Sequence, residues 1–327
     1  MTTNAATIWI GYIDIEQYKE TEQEWRQLFS LVEPRAERDR ISRYRQHVDA
    51  KRSCFGHLFM RYYLMRHLNT VSNNAAQITS ETETETVERV DEGSSGSSSD
   101  MKHIRHVQFG RTDKKKPYFL WYHKTNSSSQ DNDAQQQKRQ QKPEHTAIID
   151  FNISHGGDIV LFGFVSIPVA HPAQIIGLDV ERAQFRLSRF NHMNPYQEYL
   201  ETMNSCFTVD EWSVILRPLL SMVPSDAAPH LKTNTMLLKS IDSAPDHVRQ
   251  CVVSNFFVFW TLKESFMKAT GVGVEIELQR MQFEFETDDL ARIGTEGSLI
   301  GLRPRLRLDG QILPGWTFDS SLINSDH

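Results

Sequence analysis

Two carboxylates stand two residues apart in GLDVE, Asp179 and Glu181, and a third, Glu264, lies four residues before Lys268 in FWTLKESFMKATGVG. The alternation of Ile176, Leu178 and Val180 with the acidic residues predicts a short strand from Ile175 to Val180, where i and i+2 side chains share a face. Two carboxylates on one face repel, which raises the pKa of at least one of them unless a cation neutralises both. Hard oxygen donors of this kind suit Mg²⁺, which takes one or two carboxylates together with phosphate oxygens. An exposed strand end carrying charges reads the same way. In the second stretch Phe259, Leu262, Phe266 and Met267 recur at helical spacing. Gly271 follows them, where a helix C-terminus commonly needs a left-handed residue. Glu264 and Lys268 then share a helix face, which on its own describes a core helix with an ordinary surface pair.

Two further stretches could meet anions. RTDKKKP offers Arg111, Lys114, Lys115 and Lys116 before Pro117, which stiffens the exit of the turn. FNISHGG predicts a hairpin with Ser154 and His155 at its head, where a hydroxyl and backbone N–H groups can receive an anion. A solvated loop and an exposed turn histidine are the plain alternatives. The run from Arg35 to Arg52 carries many guanidinium groups, which make either a solvated face or a phosphate-binding one. Taken together, three carboxylates, a helical lysine, a basic loop and a turn histidine form a coherent kit. It would hold a magnesium pyrophosphate and a further phosphate, and supply a base for a hydroxyl and a cation for a leaving group.

The elements that must position this kit are mixed. A strand is predicted over Thr7–Ile15 and a helical segment over 16–29. The basic run flows into a helix with Phe55, Leu58, Phe59, Tyr62, Leu64 and Met65 on its apolar face. Strands follow near 106–110, 151–154 and 159–165, then helical pieces over 182–217 and a loose insertion over about 218–250. The helix through Glu264 comes next, then strands in LQRMQFEFET and PRLRLDG. Acidic, Ser/Gly-rich residues 79–100 and polar residues 126–143 cannot bury enough apolar area to order themselves. A long helix leading to HVQF in the first half parallels one leading to RMQF in the second. The expected fold is α+β with two similar lobes, a pseudo-dimer. Each lobe is a small, mainly antiparallel sheet packed on a long helix, with the active site between the lobes. The expected division is residues 1–150 and 151–327.

Composition excludes some classes. A formal charge of -6 on 327 residues gives no global basic field, so bulk nucleic-acid binding is not expected. Cys54, Cys206 and Cys251 match no zinc or redox spacing and suggest a reducing compartment. No run reaches the ~18 apolar residues of a membrane span. No G-x-x-x-x-G-K-[ST] loop is present, which argues against a generic nucleotide hydrolase. A cytoplasmic protein is expected.

GLDVE followed by WTLKESFMKATGVG resembles the signature of the 4′-phosphopantetheinyl transferases, a G-[IV]-D-[IVL]-E strand and then a W-x-x-K-E-[AS]-x-x-K helix. KKKPYF and FNISH resemble two further motifs of that family, in the same order. The resemblance spans roughly residues 7–318 and fits best the eukaryotic, two-lobed, monomeric type serving aminoadipate reductase and fatty-acid or polyketide synthases. It implies transfer of the phosphopantetheine arm of coenzyme A (CoA) to a serine of an apo acyl, peptidyl or aminoadipate-reductase carrier domain, releasing adenosine 3′,5′-bisphosphate. It implies that Asp179, Glu181 and Glu264 ligate Mg²⁺, that Glu264 takes the serine proton and that Lys268 neutralises the leaving phosphate. Contacts to CoA would come from Arg111, Lys114, Lys115, Lys116 and Pro117, from Asn152, Ser154 and His155, and from Lys263. Arg40 and Arg52 are the N-terminal candidates. The chain departs from the family where Lys115 precedes Lys116-Pro117 in place of a glycine. Relatives also continue into a final apolar strand where this sequence ends in WTFDSSLINSDH, so an incomplete C-terminal sheet is expected. A catalytically impaired homologue that only binds CoA or a carrier is the alternative reading.

Overall fold

The computed structural model describes residues 7–80, 107–114, 116–122, 145–166, 175–190, 193–223, 234–293 and 298–323. From residue 81 onward both low-complexity inserts, 79–100 and 126–143, lie outside the described residues, as does Lys115. The architecture is α+β, helices combined with antiparallel sheets. It divides into two compact units. One is Met1–Ser154 with Asp158–Ile176; the other is His155–Gly157 with Gly177–His327.

The first unit begins with strand β1 (Thr7–Asp14). Helices α1 (Glu22–Ser30), α2 (Arg35–Ile41) and α3 (His47–Ser80) follow, then strands β2 (Val107–Arg111), β3 (Pro117–Tyr122), β4 (His145–Gly156) and β5 (Ile159–Ser166). The sheet order is β1-β5-β4-β3-β2. Thr21 and Glu24 start α1 as a reciprocal capping box, satisfying N–H groups that the first turn leaves over. Met60, Leu64 and Leu68 of α3 bury against Phe119, Ile149, Phe151, Phe162 and Phe164 of the sheet. β1 pairs with β5, and β3 with β4, in antiparallel register. Strands β4 and β5 are therefore inner strands of the first unit's sheet, and that unit runs on to Ile176.

In the second unit α4 (Pro195–Thr202), α5 (Val209–Ile215) and α6 (Asn234–Ser240) lead into the 25-residue helix α7 (Asp246–Thr270). Gly271 caps α7 in the left-handed conformation, φ 68°, which no Cβ opposes. Strand β6 (Met281–Glu284), helix α8 (Thr287–Ile293) and strands β7 (Arg305–Leu308) and β8 (Gln311–Ile312) follow, with sheet order β6-β7-β8. Phe256, Phe259, Leu262, Phe266 and Met267 of α7 form the spine of the core, packed with Phe207, Trp212, Phe283 and Leu306.

Two expectations are corrected. The described part of 218–250 is not a loose insertion. Leu219, Leu237, Ile241 and Val248 are buried in the unit's core, on short helical turns that the scattered Pro, Ser and Asp residues merely separate. The segment 175–182 is not a strand either, because it joins neither sheet. Leu178 and Val180 are half-buried. No helix among the described residues is long and apolar enough to cross a membrane.

Candidate functional site

The irregular segment after Gly177 lies against α7. A Cβ built on Gly177 would stand 1.8 Å from the Ser265 carbonyl oxygen and 2.7 Å from the Ala269 Cβ. Real side chains do not approach so closely, so only glycine lets this backbone pass over the turn that carries Glu264 and Lys268. Gly156, at the end of the hairpin strand, is pressed in the same way, its built Cβ 2.3 Å from the Val180 carbonyl oxygen. Phe266 and Met267 of the same helical turn are buried in the unit's core.

The result brings Asp179, Glu181, Glu264 and Lys268 into one electrostatic group. Lys268 Nζ donates to Asp179 Oδ1 at 2.5 Å, so its ion-pair partner is Asp179 rather than Glu264 one turn before it. Desolvation by burial and the neighbouring Asp179 charge raise the Glu264 carboxyl above the usual carboxylate range, with Lys268 opposing. Glu181 is raised by desolvation, by Asp179 and by Glu264, with Lys268 and Arg186 opposing. Tyr199 belongs to the same neighbourhood, its phenol raised by desolvation and by Glu181. The three carboxylates face Lys268 and Arg186, an excess of negative charge that leaves a local demand for positive charge. Their chemistry is that of a hard-cation donor set. As placed, however, no three His, Cys, Asp or Glu side chains among the described residues gather as a metal-binding group.

The basic candidates scatter into three kinds of environment. Arg111 ends β2 and is partly exposed, paired with the buried Glu37 of α2. Lys114 is exposed in the turn, and Pro117 opens β3. Arg40 pairs with Glu37 at 2.8 Å, so α2 and β2 hold two guanidiniums on one carboxylate. Arg52 bonds Asp49 at 2.8 Å within α3. Asn152 and Ser154 are buried along β4, and His155 is exposed at its end.

Two of the candidate lysines are buried on internal partners. Lys263 is fully buried in the second unit. Its ammonium donates to Glu211 Oε2 at 2.7 Å and to the carbonyls of Leu278 and Met281 at 2.8 and 2.6 Å. Three donors meet three acceptors, and none remains for a phosphate. Lys116 is buried as well, bonded to Asp150 Oδ2 at 2.6 Å, while Asp150 also accepts the Ile176 N–H at 2.7 Å. It ties the turn to the chain that leads toward residue 177, and this makes it structural. Composition conceals such cases, because a lysine in a motif looks the same whether its partner is substrate or core; for Lys263 the signal lay in its spacing, with Phe259, Phe266 and Met267 at i−4, i+3 and i+4.

With this arrangement in view, the comparisons are specific. Residues 175–309 match the family model of the 4′-phosphopantetheinyl transferase superfamily. That stretch holds Asp179, Glu181, Glu264 and Lys268, and the resemblance first carried by four short motifs is borne out. The chain is 29% identical over 178 residues to the L-aminoadipate-semialdehyde dehydrogenase-phosphopantetheinyl transferase of Homo sapiens, covering 54% of this chain and 43% of that protein. It is likewise 29% identical over 178 residues to a phosphopantetheinyl transferase of a Thraustochytrium species, covering 54% of this chain and 46% of the relative. The match thus spans about half the length of these curated relatives.

Proposed function

We propose that this protein is a holo-carrier-protein synthase: it transfers the 4′-phosphopantetheine arm of CoA to a serine hydroxyl of an apo carrier domain. The observation that carries the proposal is the juxtaposition of Asp179 and Glu181 with Glu264 and Lys268, within a stretch matched to that superfamily. The reaction displaces adenosine 3′,5′-bisphosphate by forming a bond between the serine oxygen and the β-phosphorus of CoA. The serine proton goes to a base. Such transfers need positioning and charge neutralisation more than covalent help from protein. Glu264 is the base: burial and the Asp179 charge raise its carboxyl, which makes it a better proton acceptor than an exposed carboxylate. Lys268 offsets charge on the departing phosphate. Arg40, Arg111 and Lys114 are the surface cations for the substrate's phosphates. Asp179, Glu181 and Glu264 would hold a divalent cation, Mg²⁺ by the hardness of the donors, which when bound supplies neutralisation of pyrophosphate charge.

The aminoadipate-reductase type of carrier is the proposed partner class, alongside acyl and peptidyl carriers, with the protein acting as a monomer in the cytoplasm. A pseudo-dimer of two similar lobes belongs to the same reading. The test is incubation with CoA, Mg²⁺ and several apo carriers, followed by intact-mass measurement. A carrier heavier by one phosphopantetheine arm is expected. CoA bound tightly with no carrier modified would instead establish a binding homologue without activity.

The shared carboxylates also predict a pH effect without any turnover. Glu181 and Glu264 titrate near 4.5 when unfolded and higher when folded, so the folded state holds more protons in between. Stability is fully present below the unfolded value and falls as pH rises through the raised folded values. Thermal melts of the metal-free protein from pH 4.5 upward should show this decline. Mg²⁺ should raise the melting temperature at neutral pH, and Asp179→Asn should remove that response. Identical melts with and without Mg²⁺ at pH 7 would count against a cation site.

A further inference from the structure

Glu37 is a carboxylate where the sequence shows only a run of arginines. Its side chain is 5% exposed, yet Arg40 Nε donates to one oxygen at 2.8 Å and Arg111 to the other, with His57 Nε2 at 3.3 Å from the first. Burial desolvates it, but hydrogen bonds from His57, Arg111 and Arg40 outweigh that and hold its carboxyl well below the usual range. The two guanidiniums stay partly exposed, Arg40 at 42% and Arg111 at 36%. Arg40 is held at three points. Besides Glu37, its Nη1 donates to the Tyr44 hydroxyl and its Nη2 to Ser53 Oγ, both at 3.0 Å. A guanidinium has five N–H donors, so two remain for a further acceptor. The Arg111 guanidinium lies over the Phe109 ring, 5.2 Å from its centroid.

We infer that Glu37 is a positioning residue: it holds Arg40 and Arg111 on one carboxylate so that the paired guanidinium charges meet a phosphate group of CoA. The inference rests on the proposed CoA-dependent function. The physical reason is repulsion between like charges. Two guanidiniums brought together without a shared anion push apart, and long side chains then lose rotamer order that phosphate binding would have to restore. Glu37 pays that cost in advance, at the expense of one unit of net positive charge.

This makes the sign of one substitution decisive. Glu37→Gln preserves shape and removes the negative charge. If bulk electrostatics governed phosphate binding, the variant would bind CoA more tightly; if positioning governs it, binding weakens. Calorimetric titration with CoA should show about tenfold weaker binding for E37Q, the size expected when a charged hydrogen-bond set is dismantled. In steady state, KM for CoA should rise by a similar factor, while kcat and KM for the carrier stay within about twofold, since the change acts on positioning of one substrate alone. E37D, with the charge on a shorter stem, should fall between wild type and E37Q. Equal or tighter CoA binding by E37Q overturns the inference, as does a parallel fall in kcat and both KM terms. If E37Q does not fold, E37D decides: unchanged CoA binding overturns the inference and weaker binding at unchanged kcat supports it. A wild-type protein that binds no CoA overturns the functional reading itself, and that result is distinct from the others.

Discussion

Glu264→Gln is expected to slow carrier modification by about 10²–10⁴-fold, the usual worth of a positioned general base. Glutamine has the same shape and cannot take the serine proton. The substitution should not unfold the protein. Glu264 is raised by desolvation and by Asp179, so its charge costs stability at neutral pH, and a neutral isostere relieves that cost. The variant should therefore melt no lower than wild type, a combination that separates chemistry from folding. Mass spectrometry of a carrier over time gives the rate, and a thermal scan gives the stability. Wild-type turnover in the variant would remove Glu264 from the role of base and leave Asp179 and Lys268 as the residues to examine.

Lys263→Met should have the opposite signature. Lys263 and Glu211 are both fully buried, and Glu211 does more than pair with the lysine. It accepts the Thr208 N–H that opens α5, at 2.8 Å, and the Phe283 N–H of β6, at 2.9 Å. One buried carboxylate thus joins α5, α7 and β6. Removing its cation leaves an uncompensated charge in the core, which costs about 3–5 kcal/mol. Urea unfolding at neutral pH should show that loss, and the double variant Lys263→Met/Glu211→Gln should recover part of it, because glutamine keeps an acceptor for the backbone N–H groups without the charge. Where Lys263→Met remains folded, its KM for CoA should equal that of wild type. A raised KM at unchanged stability would return Lys263 to the substrate.

These two residues are neighbours in the sequence, and their contrast shows what periodicity can resolve. Spacing placed Phe259, Leu262, Phe266 and Met267 on one face and Glu264 and Lys268 on another, and the helix and its glycine cap follow that pattern. Helical period says which residues share a face; it does not say what lies opposite. Lys263 shares the apolar face, with Phe259, Phe266 and Met267 at i−4, i+3 and i+4, so the period points it inward; that Glu211 meets it there depends on α5 and β6, which come from elsewhere in the chain. The alternation in GLDV likewise suggested a strand. Yet a strand exists only where another supplies the ladder, and residues 175–182 join neither sheet.

The residue types of the candidate site, and their order, were set by the sequence itself: carboxylates at 179, 181 and 264, a lysine at 268, and a basic turn from residue 111. These depend on local chemistry and on motifs a few residues long. The tertiary structure alone decided which cations serve the fold and which face outward. Lys116 and Lys263 went inward to Asp150 and Glu211, while Arg40 and Arg111 stayed at the surface on Glu37. The reason is that a charge's partner is fixed by packing between distant segments, and burial makes that partner obligatory.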